Sequence, residues 1–174
     1  MTDTTPPTFD EVTAALTGPG GFFEVTTDDV LGERMSVFAN RPRSLRDVLV
    51  AARQFGDAEY GVFDDAGNRR VLTFAGHERQ VASVAAALLD RGVGRGDRVA
   101  VLAANCPEYL VTFWACASMG AVAVCFNGWW TRAEIEHALA HTQPALLVAD
   151  RRRLDRLEGA DPGVPTVVIE DDFE

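Results

Sequence analysis

Gly92-Val-Gly-Arg-Gly-Asp-Arg-Val-Ala-Val-Leu102 opens a block that closes at Ala145-Leu-Leu-Val-Ala-Asp150, and the reading of that block decides the fold. Arg98-Val-Ala-Val-Leu102 is short, β-branched and apolar on both faces, the pattern of a strand covered on each side. Asn105-Cys-Pro107-Glu opens a helix, with proline at an early position where its missing N–H costs nothing. Gly120 closes that helix, and Ala121-Val-Ala-Val-Cys-Phe126 is a second strand. Thr131-Arg-Ala-Glu134 is a capping box for a helix that turns Ile135, Ala138 and Leu139 inward. Ala145-Leu-Leu-Val-Ala149 and Thr166-Val-Val-Ile169 give a third and a fourth strand. Strands alternating with helices predict an α/β fold whose mostly parallel sheet is covered by helices on both faces.

Outward from this block the signals are more local. Ser44 caps a helix carrying Leu45, Val48, Leu49 and Ala52 on one stripe, with Asp47 at the capping-box position and Gly56 as its stop. Tyr60-Gly-Val-Phe63 and Arg70-Val-Leu-Thr-Phe74 flank a turn-rich segment and predict an N-terminal antiparallel hairpin. A helix over 76–91 buries Val81, Val84, Ala85, Leu88 and Leu89, and Gly92 ends it. Residues 22–26 and 34–39 could form short strands. Residues 1–21 are expected to be a loose lead-in, with residues 22–174 as one domain body.

A chain of 174 residues suffices for one domain with a sizeable core, and 47% hydrophobic with 24% charged residues is ordinary for a globular domain. The net charge of −10 argues against nucleic acid or an anionic membrane as partner. All 16 basic residues are arginines. The absence of lysine excludes a Schiff base and a phosphate-loop lysine. Cys106, Cys116 and Cys125 sit in apolar company and are expected to be reduced and buried. With a polar start that is no signal peptide, they predict a cytoplasmic location. Tyr109–Thr131 carries no charge and is long enough to span a bilayer. Gly120 and Asn127-Gly128 interrupt the run, so two fully buried elements are expected instead of a transmembrane segment.

Taken in order, Leu72-Thr-Phe74, the Gly92–Ala100 segment, Asn105-Cys-Pro-Glu-Tyr109, Met119-Gly-Ala-Val-Ala-Val124, and Asn127 followed by Thr131-Arg-Ala-Glu134 resemble the N-terminal part of the adenylate-forming (AMP-binding) superfamily. Arg41-Pro-Arg-Ser-Leu-Arg-Asp47 further resembles actinobacterial-type fatty-acid and acyl-CoA ligases. The likeness covers roughly residues 35–170. Gly76-His77 and Cys125-Phe126 depart from the family pattern, which usually has an acidic residue and leucine at the first place and often a proline at the second. The resemblance implies a partial N-terminal domain of an acyl-CoA synthetase, without the downstream part and the C-terminal lid domain. The parent would adenylate a carboxylic acid with ATP and Mg2+, then pass the acyl group to coenzyme A; the acid would be fatty, aromatic or steroid-like, and a homodimer is a candidate assembly. The family places its Ser/Thr/Gly-rich phosphate loop and its lysines downstream of this span. No catalytic, cofactor-binding or metal residue is therefore assigned here, and the span alone is expected to bind no cofactor and to be inactive. A free-standing, non-catalytic α/β binding module with the same fold is the alternative.

Several local patterns have a plainer reading. Gly92-x-Gly94-x-Gly96 follows a helix and opens a strand, the reverse of a dinucleotide loop, so it and Arg95-Gly-Asp97 are read as a turn. Thr17-Gly-Pro-Gly-Gly21 lacks a preceding strand and a lysine. His137 and His141, with Glu134 a turn earlier, are half a metal site by spacing and are read as a polar helix face. Arg151-Arg-Arg-x-x-Arg156 is read as a solvated, salt-bridged face, with a phosphate of coenzyme A or ATP as the weaker possibility. Asn127-Gly128-Trp129-Trp130 follows the C-terminal end of a parallel strand, where open α/β sheets place ligands. These four are the candidate pocket lining. Their two tryptophans need burial, in an acyl tunnel wall or against the remainder of the domain.

Overall fold

The computed structural model describes residues 6–65 and 67–173. It divides into two compact units, Met1–Arg43 and Ser44–Glu174.

In the first unit a helix, α1 (Phe9–Thr17), replaces the loose lead-in expected there. The reason is a capping box: the Thr8 amide donates to Glu11 Oε2 at 2.8 Å and the Glu11 amide to Thr8 Oγ1 at 3.3 Å. After the glycine turn come β1 (Val25–Val30) and β2 (Glu33–Phe38), an antiparallel pair starting later than the strand expected at 22–26. Leu31 and Gly32 join them with φ of 53° and 90°, the handedness that suits strand twist in a two-residue hairpin turn.

The second unit begins with α2 (Leu45–Ala51), whose first turn is capped by Ser44 Oγ accepting from the Asp47 amide. The hairpin follows as β3 (Glu59–Asp65) and β4 (Asn68–Thr73), then α3 (Phe74–Asp90), capped by Thr73. The parallel unit is β5 (Arg98–Leu102), α4 (Pro107–Met119), β6 (Val122–Cys125), α5 (Arg132–Thr142) and β7 (Leu146–Ala149). A short α6 (Arg151–Leu154) with a 3-10 turn (Asp155–Leu157) leads to β8 (Thr166–Val168) and α7 (Ile169–Asp172).

Four parallel strands run in the order β6-β5-β7-β8. Side chains alternate across the sheet. Val99, Leu146 and Val148 join one buried cluster with Val81 and Leu88 of α3 and Val111 and Ala115 of α4. Ala100, Leu102, Leu147 and Ala149 join another with Ile135 and Leu139 of α5 and Leu157. Helices thus cover both faces, as the doubly apolar strands required.

The glycine series before β5 is a turn. The Gly94 amide donates to Asp97 Oδ2 at 2.8 Å, the Gly96 amide to the Gly120 carbonyl at 2.9 Å, and Gly92 and Gly96 have φ of 81° and 87°. The uncharged run Tyr109–Thr131 becomes α4, β6 and a loop, and no helix among the described residues is long and apolar enough to cross a membrane. The expectation of two fully buried elements is met only in part by α4, which buries Pro107, Val111, Thr112, Ala115 and Cys116 and leaves its other residues half-buried. β6 lies at one end of the strand order, and its Val122 and Cys125 are exposed. The cysteines differ accordingly: Cys116 is buried, Cys106 half-buried and Cys125 exposed.

Candidate functional site

From β5 the chain crosses to β6 on one side and then to β7 on the other. The order therefore reverses between β5 and β7, and a crevice opens above the carboxyl ends of those two strands, the place where such sheets take ligands. Ala103-Ala104-Asn105 leaves β5 there, and Asp150 leaves β7.

Asp150 organises this rim. Its Oδ2 accepts the Ala104 amide at 2.8 Å and Arg153 Nη1 at 2.8 Å, while Oδ1 accepts the Arg153 amide at 2.8 Å and caps α6. Both side chains of the Asp150–Arg153 pair are only 11% exposed, so the bonds form away from bulk water. The open cleft beside the pair has a volume of about 750 Å³ and is bounded by Phe63, Arg70, Asn105, Cys106, Glu108 and Arg152. Across it Arg70 of β4 grips Glu108 at the start of α4 with two bonds, 2.5 and 3.3 Å. Burial opposes ionisation of Glu108, but the Arg70 hydrogen bonds outweigh it and hold the carboxyl below its ordinary range. Cys106 caps α4, accepting the Tyr109 amide at 3.4 Å through Sγ. Burial pushes its thiol up to about 11, with Glu108 adding to the rise. Asn105 is left exposed at the cleft.

The candidate residues Asn127–Trp130 form a tight turn after β6, on the same carboxyl-end rim. The Trp130 amide bonds the Asn127 carbonyl at 3.1 Å, and Asn127 Oδ1 accepts the Trp129 amide at 2.9 Å. Arg156 Nη1 donates to the carbonyls of Gly128 at 2.8 Å and Trp130 at 2.9 Å. A side chain at Gly128 would meet Arg153 Nε at 3.1 Å and the Ala103 carbonyl at 3.3 Å. The structure therefore brings the turn together with Ala103, Arg153 and Arg156. It separates the two tryptophans: Trp130 rests on Phe126, ring centroids 5.3 Å apart, whereas Trp129 is 82% exposed. The expected burial of both is met only in part, by a half-buried Trp130 packed on the cluster of Ile135 and Leu139.

The arginine cluster is likewise split. Arg151 pairs with Asp171 and Arg152 is exposed, as a solvated face predicts, but Arg153 and Arg156 turn inward and hold backbone and carboxylate. The helical periodicity of a four-residue helix is too short for sequence to reveal this; Asp150 ahead of the cluster, a helix-capping residue type, was the available signal. His137 and His141 stack on exposed α5, ring centroids 5.8 Å apart, and the described residues include no group of three or more His, Cys, Asp or Glu placed to hold a metal ion.

Comparison with known proteins matches residues 49–174 to the family model described as AMP-binding enzyme. An acyl-CoA ligase from Ajellomyces capsulatus is 43% identical over 75 residues, covering 43% of this chain and 13% of that protein. One from Aspergillus fumigatus is 38% identical over 94 residues, covering 54% of this chain and 16% of that protein. The chain thus spans 13–16% of the length of these curated relatives. Among solved structures, the fatty acyl-adenylate ligase from L. pneumophila in complex with acyl adenylate and pyrophosphate superposes with a TM-score of 0.65. That match has 18% identity and covers 75% of this chain and 24% of that one, a likeness of fold.

Proposed function

This chain belongs to the AMP-binding enzyme family and has the fold of the N-terminal domain of adenylate-forming enzymes, and from that membership we propose that it is the scaffold part of an ATP-dependent acyl-CoA synthetase. The observation that carries the reading is the family match across residues 49–174, joined to acyl-CoA ligases as similar proteins. The longer protein activates a carboxylic acid as its acyl-adenylate and transfers the acyl group to coenzyme A. ATP and Mg2+ serve the first step.

The donors present in this span do not fit a triphosphate or magnesium site. The sequence has no lysine, and the carboxylates at the crevice are taken up by Arg70, by Arg153 and by backbone amides. What the span supplies is geometry. Asp150 ties the ends of β5 and β7 together, and Arg156 fixes the Asn127–Trp130 turn at the same rim. We assign Asn127, Gly128, Trp129 and Trp130 to the pocket wall of the longer ligase, because the turn is rigid and presents Trp129 outward. The groups that bind phosphate and stabilise charge during adenylation come from other segments.

The test is carboxylate-dependent exchange of labelled pyrophosphate into ATP. The 174-residue chain, purified alone and offered fatty and aromatic acids, is expected to show none. A gene product that adds a Ser/Thr/Gly-rich loop with its lysine is expected to show exchange and, with coenzyme A, release of AMP. Exchange by the chain alone would overturn its assignment as scaffold. A longer product that releases no AMP with any acid would favour a non-catalytic module of the same fold.

A further inference from the structure

His77 is 2% exposed, and its Nε2 has no hydrogen-bond partner among the described residues. Its ring lies against Tyr60 of β3, centroids 4.3 Å apart and planes inclined by 27°, and meets Trp114 of α4 edge-on at 6.1 Å. Trp114 Nε1 donates to the Tyr60 hydroxyl at 2.9 Å. Three rings from α3, β3 and α4 therefore pack together, the imidazole stacked on Tyr60 and edge-on to Trp114. Such a stack tolerates a neutral ring. A buried imidazolium would lack both water and a carboxylate.

The surrounding charges are already engaged. Glu78, beside His77 on α3, pairs with Arg53 of the turn after α2 at 2.5 Å. Arg70 of β4 pairs with Glu108 of α4. Tyr60 from β3 and Trp114 from α4 are the groups that face the ring, and neither is a carboxylate. Burial pushes the His77 pKa down, in keeping with that geometry.

We propose that His77 is an acid-sensitive latch, whose neutral ring holds the base of the β3–β4 hairpin against α3 and α4 and whose protonation releases it. The released segment is the Tyr60 end of the hairpin. Its other end stays tethered by the Arg70–Glu108 pair, whose carboxyl is held below its ordinary range. Phe63 and Arg70, which pair across the hairpin and wall the crevice, lie at the tethered end, so that wall keeps its place when the latch opens.

Amide hydrogen exchange of the whole chain at pH 7.5 and 5.5, corrected for intrinsic rates, tests this. Exchange at 59–61 and 72–73 is expected to rise by up to about tenfold at the lower pH relative to β5 and β7, the ceiling for one imidazole titrating at its ordinary value in the open state. His77→Leu fills the space without titrating and is expected to keep both segments equally protected at the two pH values. His77→Gln, polar and non-titrating, makes the same comparison should the leucine variant fold poorly. An unchanged pH response in either variant, or a rise spread evenly over β5 and β7, would overturn the latch.

Discussion

The guanidinium of Arg156 donates a 2.8 Å hydrogen bond to the carbonyl of Gly128, 28 positions earlier in the chain. With the second bond to Trp130 at 2.9 Å, one side chain fixes both ends of the turn that follows β6. Arg156→Ala leaves two carbonyls without their donor. A loss of about 1.5–3 kcal/mol is expected, the range for hydrogen bonds to charged groups. Urea unfolding measures it. Arg156→Lys should recover only part, since one ammonium does not reproduce the planar fork.

At Asp150 the expected cost is larger. Asp150→Ala leaves Arg153 charged, buried and unpaired, and breaking such a pair costs roughly 3–5 kcal/mol. The Ala104 amide also loses its acceptor. The double variant Asp150→Ala with Arg153→Met should be more stable than Asp150→Ala alone in denaturant titrations. A double variant no better than the single one would mean that the carboxylate acts mainly through the Ala104 amide and the α6 cap.

Glu108 makes the chain acid-sensitive in a definite window. Its carboxyl is held below the ordinary 4.5 when folded, so the unfolded chain binds the proton more readily. The stabilisation is present in full above 4.5 and is lost as pH falls through the lower folded value. Melting temperatures recorded from pH 7 to 3 should show this fall. In Arg70→Gln the curve should start lower at pH 7 and meet the original curve at the acid end.

The three thiols should separate by rate. Cys125 is exposed, whereas burial pushes Cys106 and Cys116 each up to about 11. Native protein treated with a disulfide reagent at pH 7.5 should release one equivalent quickly and two more only on unfolding. Cys125→Ser should remove the fast phase.

The parallel unit was legible because its signals are local and mutually consistent. Pro107 at a helix start, Gly120 at φ 80° and the Thr131–Glu134 capping box each mark a boundary within a few residues. The same logic applied to Thr8 and Glu11 finds α1, a box hidden by the proline- and glycine-rich composition around it. The turn at Asn127–Trp130 could be placed at the carboxyl end of a strand, but not its clamps. Arg156 is set by contacts across 26–28 residues, whereas Arg153 is held by Asp150 only three positions before it. The half-exposed β6 escaped for a related reason: its apolar sequence reads the same in the middle of a sheet as at its edge.

The alternation of β5 and β7 between two clusters has a consequence for register. Polarity cannot pin these strands, since both of their faces are apolar and a one-residue slip would still bury every side chain. Size can. The face toward α3 and α4 presents Val99, Leu146 and Val148, and the face toward α5 sets Ala100 and Ala149 beside Leu102 and Leu147. A slip would press valines where α5 fits over alanines and open gaps where valines had met α3. Alignment of this sheet is thus written in the sizes of single side chains, a keyed lock whose teeth are Ala100 and Ala149.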